Sequence, residues 1–141
     1  NEAQQYEGNS AAVAAVAAGE IDVALVNHYY AYEHLRENPD APIDNYTFPS
    51  GDIGNLINVA GAGILESSDN KPLGQQFIAY LLSRSAQQVF AEETFEYPLL
   101  IGMDADPRLK PLDEFGAPDI NLTDLDDLEG TLELLDDVIA Q

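Results

Sequence analysis

The stretch NSAAVAAVAAGEIDVALVNHYYAYEHLRE, residues 9–37, decides how this chain folds. Its alanine-rich opening has high helix propensity, and the pattern predicts a helix over residues 9–19. Asn9 or Ser10 stands where a side chain can cap the free amides, and Gly19 stands where a left-handed stop is needed. IDVALV, residues 21–26, is a short apolar, β-branched run suited to a buried strand. It leads into NHYYAYEHLRE, which reads as a helix from about His28 until Pro39 ends it. Helix, strand and helix in this order are the rhythm of an α/β layer built on a parallel sheet.

Working outward, a proline-rich loop with Pro39, Pro42 and Pro49 encloses a strand candidate around Tyr46–Phe48. LINVAGAGIL, residues 56–65, reads as another strand, in which Gly61 and Gly63 permit close backbone approach. From about Pro72 to Ala91, Leu73, Phe77, Tyr80, Leu81, Val89 and Phe90 recur at helical spacing, with a break at Ser83 and Ser85. The segment from Glu96 to Asp119 carries four prolines and reads as an extended connection. The end, TDLDDLEGTLELLDDVIAQ, reads as a pair of acidic amphipathic helices jointed at Gly130.

Composition sets the limits on function. The chain has 141 residues, 45% of them hydrophobic, enough for a modest core. Its 26 acidic residues against five basic ones give a net charge of −21. Such a field repels nucleic acids and anionic membranes, so nucleic-acid binding is excluded. With acid spread along the whole chain, the charge reads as a solvated, halophile-like surface. Melting curves in molar salt test that expectation: a protein no more stable there than in dilute buffer contradicts it. No cysteine is present, which removes disulfides, thiolate metal sites and cysteine nucleophiles. The chain opens at Asn1 rather than Met, and reads as a piece of a longer protein with any leader upstream.

The chemistry concentrates in Asn27-His28-Tyr29-Tyr30, at a strand-to-helix junction where open α/β sheets meet their ligands. Phenolate is a hard oxygen donor suited to a hard trivalent cation. A free tyrosine has a pKa near 10, so ionising two side by side at neutral pH needs a strong positive charge such as a bound metal. The same pair also reads as packing aromatics with wet hydroxyls. His28 reads as a surface or supporting residue rather than a ligand. Elsewhere, Asp124, Asp126 and Asp127 suggest a calcium loop, but Leu128 and Leu135 occupy ligand positions and Gly130 falls one place late. Asp104 and Asp106 read as solvated loop acids. Motifs for serine hydrolases, phosphate loops and zincins are absent, so no enzyme is expected.

Residues 9–37, together with GDIGNLINVAGAGILESSDNKPLGQQFIAYLLSRSAQQVFAEETFEYPL and PLDEFGAPDINLTDL, resemble the ferric-iron-binding solute receptors of ABC importers. These belong to the type II periplasmic binding proteins: two-lobed α/β folds with mixed sheets flanked by helices. The resemblance covers nearly the whole chain as a C-terminal part, with the N-terminal portion missing. It implies that Tyr29 and Tyr30 are iron ligands, and that Asn9 and Asn27 contact a synergistic anion, phosphate or carbonate. A helix N-terminus at Asn9 suits an anion physically, and plain capping by Asn9 is compatible with that role.

The resemblance further implies that residues 1–60 lie in the second lobe, 61–110 return to the first, and 111–141 pack back on the second. On that division the chain by itself should unfold with poor cooperativity; a single sharp thermal transition would contradict it. The implied protein is a monomer located in the periplasm or extracellularly, with any lipid anchor upstream of this sequence. It carries Fe3+ as cargo and passes it to an ABC permease. A receptor of the same fold binding a small anion without metal is the alternative reading.

Overall fold

A computed structural model describes residues 4–124 and 126–139. Five α-helices occur among them: α1 (Asn9–Ala18), α2 (Tyr29–Glu37), α3 (Lys71–Leu81), α4 (Arg84–Glu93) and α5 (Leu128–Ile139). Short 3-10 turns stand at Ile53–Asn55, Leu112–Glu114 and Leu122–Asp124.

The first two helices follow the sequence closely. Gly19 adopts φ 73°, and its amide and that of Glu20 return to the carbonyls of Val16 and Ala15, which closes α1 with a left-handed stop. At the other end the expected side-chain cap does not form. Gly8 takes the capping position without a side-chain bond, and Asn9 lies one place inside the helix. Small side chains let α1 and α2 pack together, burying Val13 and Ala15 on one and Ala31 on the other.

The break between α3 and α4 falls where the serines stand. Ser83 Oγ accepts the amide of Ala86 at 3.3 Å and starts α4, so the chain turns without a long loop. Gln87, buried on α4, donates to Leu81 O at 2.9 Å and accepts from Leu99 N at 2.7 Å, pinning the helix junction to the following connection.

One expectation requires correction. Gly130 is not a joint between two helices: Asp127 Oδ1 accepts its amide at 2.9 Å, and a single helix, α5, runs through it. One glycine near a helix start costs only about 1 kcal/mol, too little to divide a helix whose first turn a neighbouring carboxylate caps. The terminal residues 140 and 141 of that expected pair, and residue 125, lie outside the described residues. Among the described residues the helices of the expected α/β fold are present, while 21–26, 46–48 and 56–65 form no ladder with one another. A strand is defined by its neighbour, and the described residues supply none to these runs. Val23 and Leu25 are accordingly 72% and 92% exposed.

Candidate functional site

Asn27-His28-Tyr29-Tyr30 lies at the start of α2, where the backbone enters the helix with His28 already at φ −54°, ψ −35°. The two tyrosines face one another with ring centroids 4.6 Å apart at 41°, both half-buried. Asn27 Nδ2 donates to Tyr29 Oη at 3.0 Å, and Asn58 Nδ2 donates to Asn27 Oδ1 at 3.3 Å.

His28 points elsewhere. Its Nε2 donates to Phe95 O at 2.8 Å, across 67 residues of sequence, and its ring stands 5.4 Å from that of Tyr97. Its own carbonyl accepts from Asn45 Nδ2 at 3.0 Å. The ring therefore anchors the start of α2 to the segment at Phe95, and it also meets the Tyr29 ring edge-on at 5.5 Å.

That anchorage is a cluster built on Phe95, whose side chain is fully buried. Arg108 stacks over its ring at 4.5 Å, Arg36 lies 5.6 Å from it, and Tyr32 packs beside it at 5.5 Å. Arg36 also donates to Glu93 O at 2.9 Å, and Tyr32 to Arg108 O at 3.2 Å. Asp106 is not a solvated loop acid as the sequence suggests. It holds Arg108 through two side-chain bonds of 2.8 Å, its side chain is only 11% exposed, and the guanidinium pulls its carboxyl down to about 2.

Tyr29 holds its proton more tightly than a free tyrosine. Burial raises its pKa first, the neighbouring Tyr30 adds to the rise, and the charge of Glu96 adds a little more; donation from Asn27 opposes them. Tyr97, behind the site, is pushed up to about 12, chiefly by burial and then by Tyr32. Among the described residues no group of three or more His, Asp or Glu gathers as a metal site.

Asn9 stands apart from this network. It is half-buried at the N-terminus of α1, the helix packed on α2, and no side-chain hydrogen bond of Asn9 is seen among the described residues. Open grooves occur away from the tyrosines, one of about 540 Å3 at the C-terminal ends of α1 and α2 and one of about 410 Å3 between α4 and residues 102–107. Sequence reasoning missed Asn58, Asn45 and the Phe95 cluster. Asn58 left one signal, an amide inside the otherwise apolar run 56–65.

Comparison with known proteins then settles the family. Residues 1–88 match the model of the bacterial extracellular solute-binding proteins. The chain belongs to that family. It is 38% identical over 136 residues to iron uptake protein A2 of Synechocystis, a match covering 89% of this chain and 39% of the relative. It is 34% identical over 134 residues to the major ferric iron-binding protein of Neisseria meningitidis, covering 93% and 40%. Iron-bound HitA from Pseudomonas aeruginosa superimposes with a TM-score of 0.85 at 38% identity, over 94% of this chain and 44% of that one. The fold is therefore that of part of a periplasmic binding protein. The chain spans about 40% of the length of the curated relatives it matches.

Proposed function

We propose that this chain supplies one side of the cation site of an extracytoplasmic receptor that captures Fe3+ and delivers it to an ABC importer. The observation that carries the reading is the facing pair Tyr29 and Tyr30, half-buried, 4.6 Å apart and backed by an amide donor. The names of relatives at 32–38% identity, ferric iron-binding and iron uptake proteins, support the cargo. In this reading the phenols ionise as the ion binds, because its charge outweighs the burial that otherwise holds the Tyr29 proton. Uptake then releases protons, and affinity falls as pH falls.

Asn9 and Asn27 would hold a synergistic phosphate or carbonate beside the ion. Asn27 gives one amide hydrogen to Tyr29 and keeps the second free, and the N-terminus of α1 offers unpaired amides and no acidic side chain in its first turn. The remaining ligands come from a first lobe. The lobe reading keeps its boundaries, with 1–60 and 111–141 in the second lobe and 61–110 returning to the first. Residues 93–110 bond directly to α2, which makes them the junction in this scheme. The receptor acts as a monomer that closes on its cargo, whether free or lipid-anchored, before meeting the permease.

Adding a ferric salt and anion to the natural chain that carries this sequence should produce a visible tyrosinate-to-iron charge-transfer band. Replacing both Tyr29 and Tyr30 by Phe should abolish it. A band that survives the double substitution, or tight anion binding with no metal requirement, would overturn the reading.

A further inference from the structure

We propose that His28 is a positioning residue for the iron site, a strut that joins the start of α2 to the Phe95 carbonyl and so fixes where Tyr29 and Tyr30 stand. This rests on the ferric reading above. The strut works with His28 neutral or charged, because Nε2 carries a hydrogen in both cases.

Residue 28 is held at both of its ends. Its Nε2 donates to Phe95 O at 2.8 Å, and its own carbonyl accepts from Asn45 Nδ2 at 3.0 Å. Between these holds the ring meets Tyr29 edge-on at 5.5 Å and lies 5.4 Å from Tyr97. A carbonyl oxygen only accepts, so Nε2 is spent on Phe95 rather than left for a metal.

The far end of the strut is itself fixed. Among the described residues Phe95 is the one non-glycine at positive φ, at 56°, a conformation that L side chains resist. Its ring is enclosed, with Arg108 stacked over it at 4.5 Å. Glu96 N also donates to Phe90 O at 3.0 Å, which folds the chain back on the end of α4. The carbonyl of Phe95 therefore has a set direction, and the start of α2 is built onto it. Metal ligands work when held within about 0.5 Å of their productive geometry, and residues that orient ligands from outside typically change affinity by about 10–100-fold.

Two amides of different reach isolate this role, and His28 is half-buried, so either is accommodated. In His28→Gln the amide NH2 stands near the position of Nε2, and the Phe95 carbonyl, as an acceptor, selects that end. In His28→Asn the amide stands near Nδ1 and falls short. Ferric affinity of the natural chain that carries this sequence should fall about tenfold in His28→Asn, and stay within about threefold of wild type in His28→Gln. The high-spin ferric signal in electron paramagnetic resonance should broaden in His28→Asn, where the tyrosines take up more than one arrangement about the ion, and remain sharp in His28→Gln. Measuring at a temperature where circular dichroism shows every variant folded keeps loss of fold out of both readouts. Equal losses in the two amides, as removal of an iron ligand would give, overturn the strut. So does wild-type affinity with an unbroadened signal in His28→Asn. Either result leaves the ferric reading intact, whereas a wild-type protein with no tyrosinate band overturns that reading and the strut with it.

Discussion

Phe95 and Leu25 are both large apolar side chains, and they meet opposite fates. Phe95 is wholly enclosed by two guanidinium groups and Tyr32, although it sits in an irregular connection at φ 56°. Leu25, in the most strand-like run of the sequence, is 92% exposed. The difference teaches that cohesion here comes from the irregular 93–110 segment closing on the face of α2, through hydrogen bonds and cation–π stacking. The apolar runs 21–26 and 56–65 contribute little to it in the described structure. The tyrosine pair is tied to the first region through His28 and to the run 56–65 through Asn27 and Asn58.

The contrast can be broken most forcefully at Phe95. Phe95→Ala should destabilise the chain by about 3–5 kcal/mol, since it empties the cluster that also fixes His28; denaturant unfolding reads the loss. A second tie holds residues 48–55 to Phe115. Buried Asn55 accepts from Phe48 N at 2.9 Å and donates to the carbonyls of Phe48, Pro49 and Phe115 at 2.9–3.0 Å. Asn55→Ala should cost about 1–3 kcal/mol by the same measurement, because it orphans buried backbone groups.

Asp106→Asn tests the electrostatic part of the Phe95 cluster. The carboxyl of Asp106 is lowered to about 2 in the folded protein, so its contribution is complete above the ordinary carboxylate range near 4. It is lost as pH falls toward 2. At pH 7 the substitution should cost about 1 kcal/mol, discounted because Arg108 is half exposed, and the difference from wild type should vanish near pH 2. The smallest effect belongs to the opposite region. Leu25→Thr should change the stability of the 141-residue chain by no more than about 0.5 kcal/mol. In a longer receptor whose other segments cover this run, the same substitution should cost about 1–3 kcal/mol. Equal costs in the two would remove the contrast.

The helices were legible because their signals are local. Alanine propensity, Gly19, Pro39 and Ser83 each act within a few residues of where they stand, and each marks an observed boundary or stop. Strand pairing was not, since an apolar run specifies a face and a length but not the neighbour that completes it. The site was legible in part. Adjacent tyrosines announce hard-donor chemistry, whereas Asn58 and Phe95 reach it from 31 and 67 residues away, and one sequence carries no local mark of such contacts.

Resonance Raman spectroscopy of the ferric complex, excited within its visible band, tests the central claim most directly. The account predicts tyrosinate ring modes that shift when the protein is grown on ring-deuterated tyrosine. Tyr29→Phe and Tyr30→Phe should each weaken those modes, and the double substitution should remove them. Tight iron binding without enhanced tyrosinate modes, or modes indifferent to both substitutions, would contradict it.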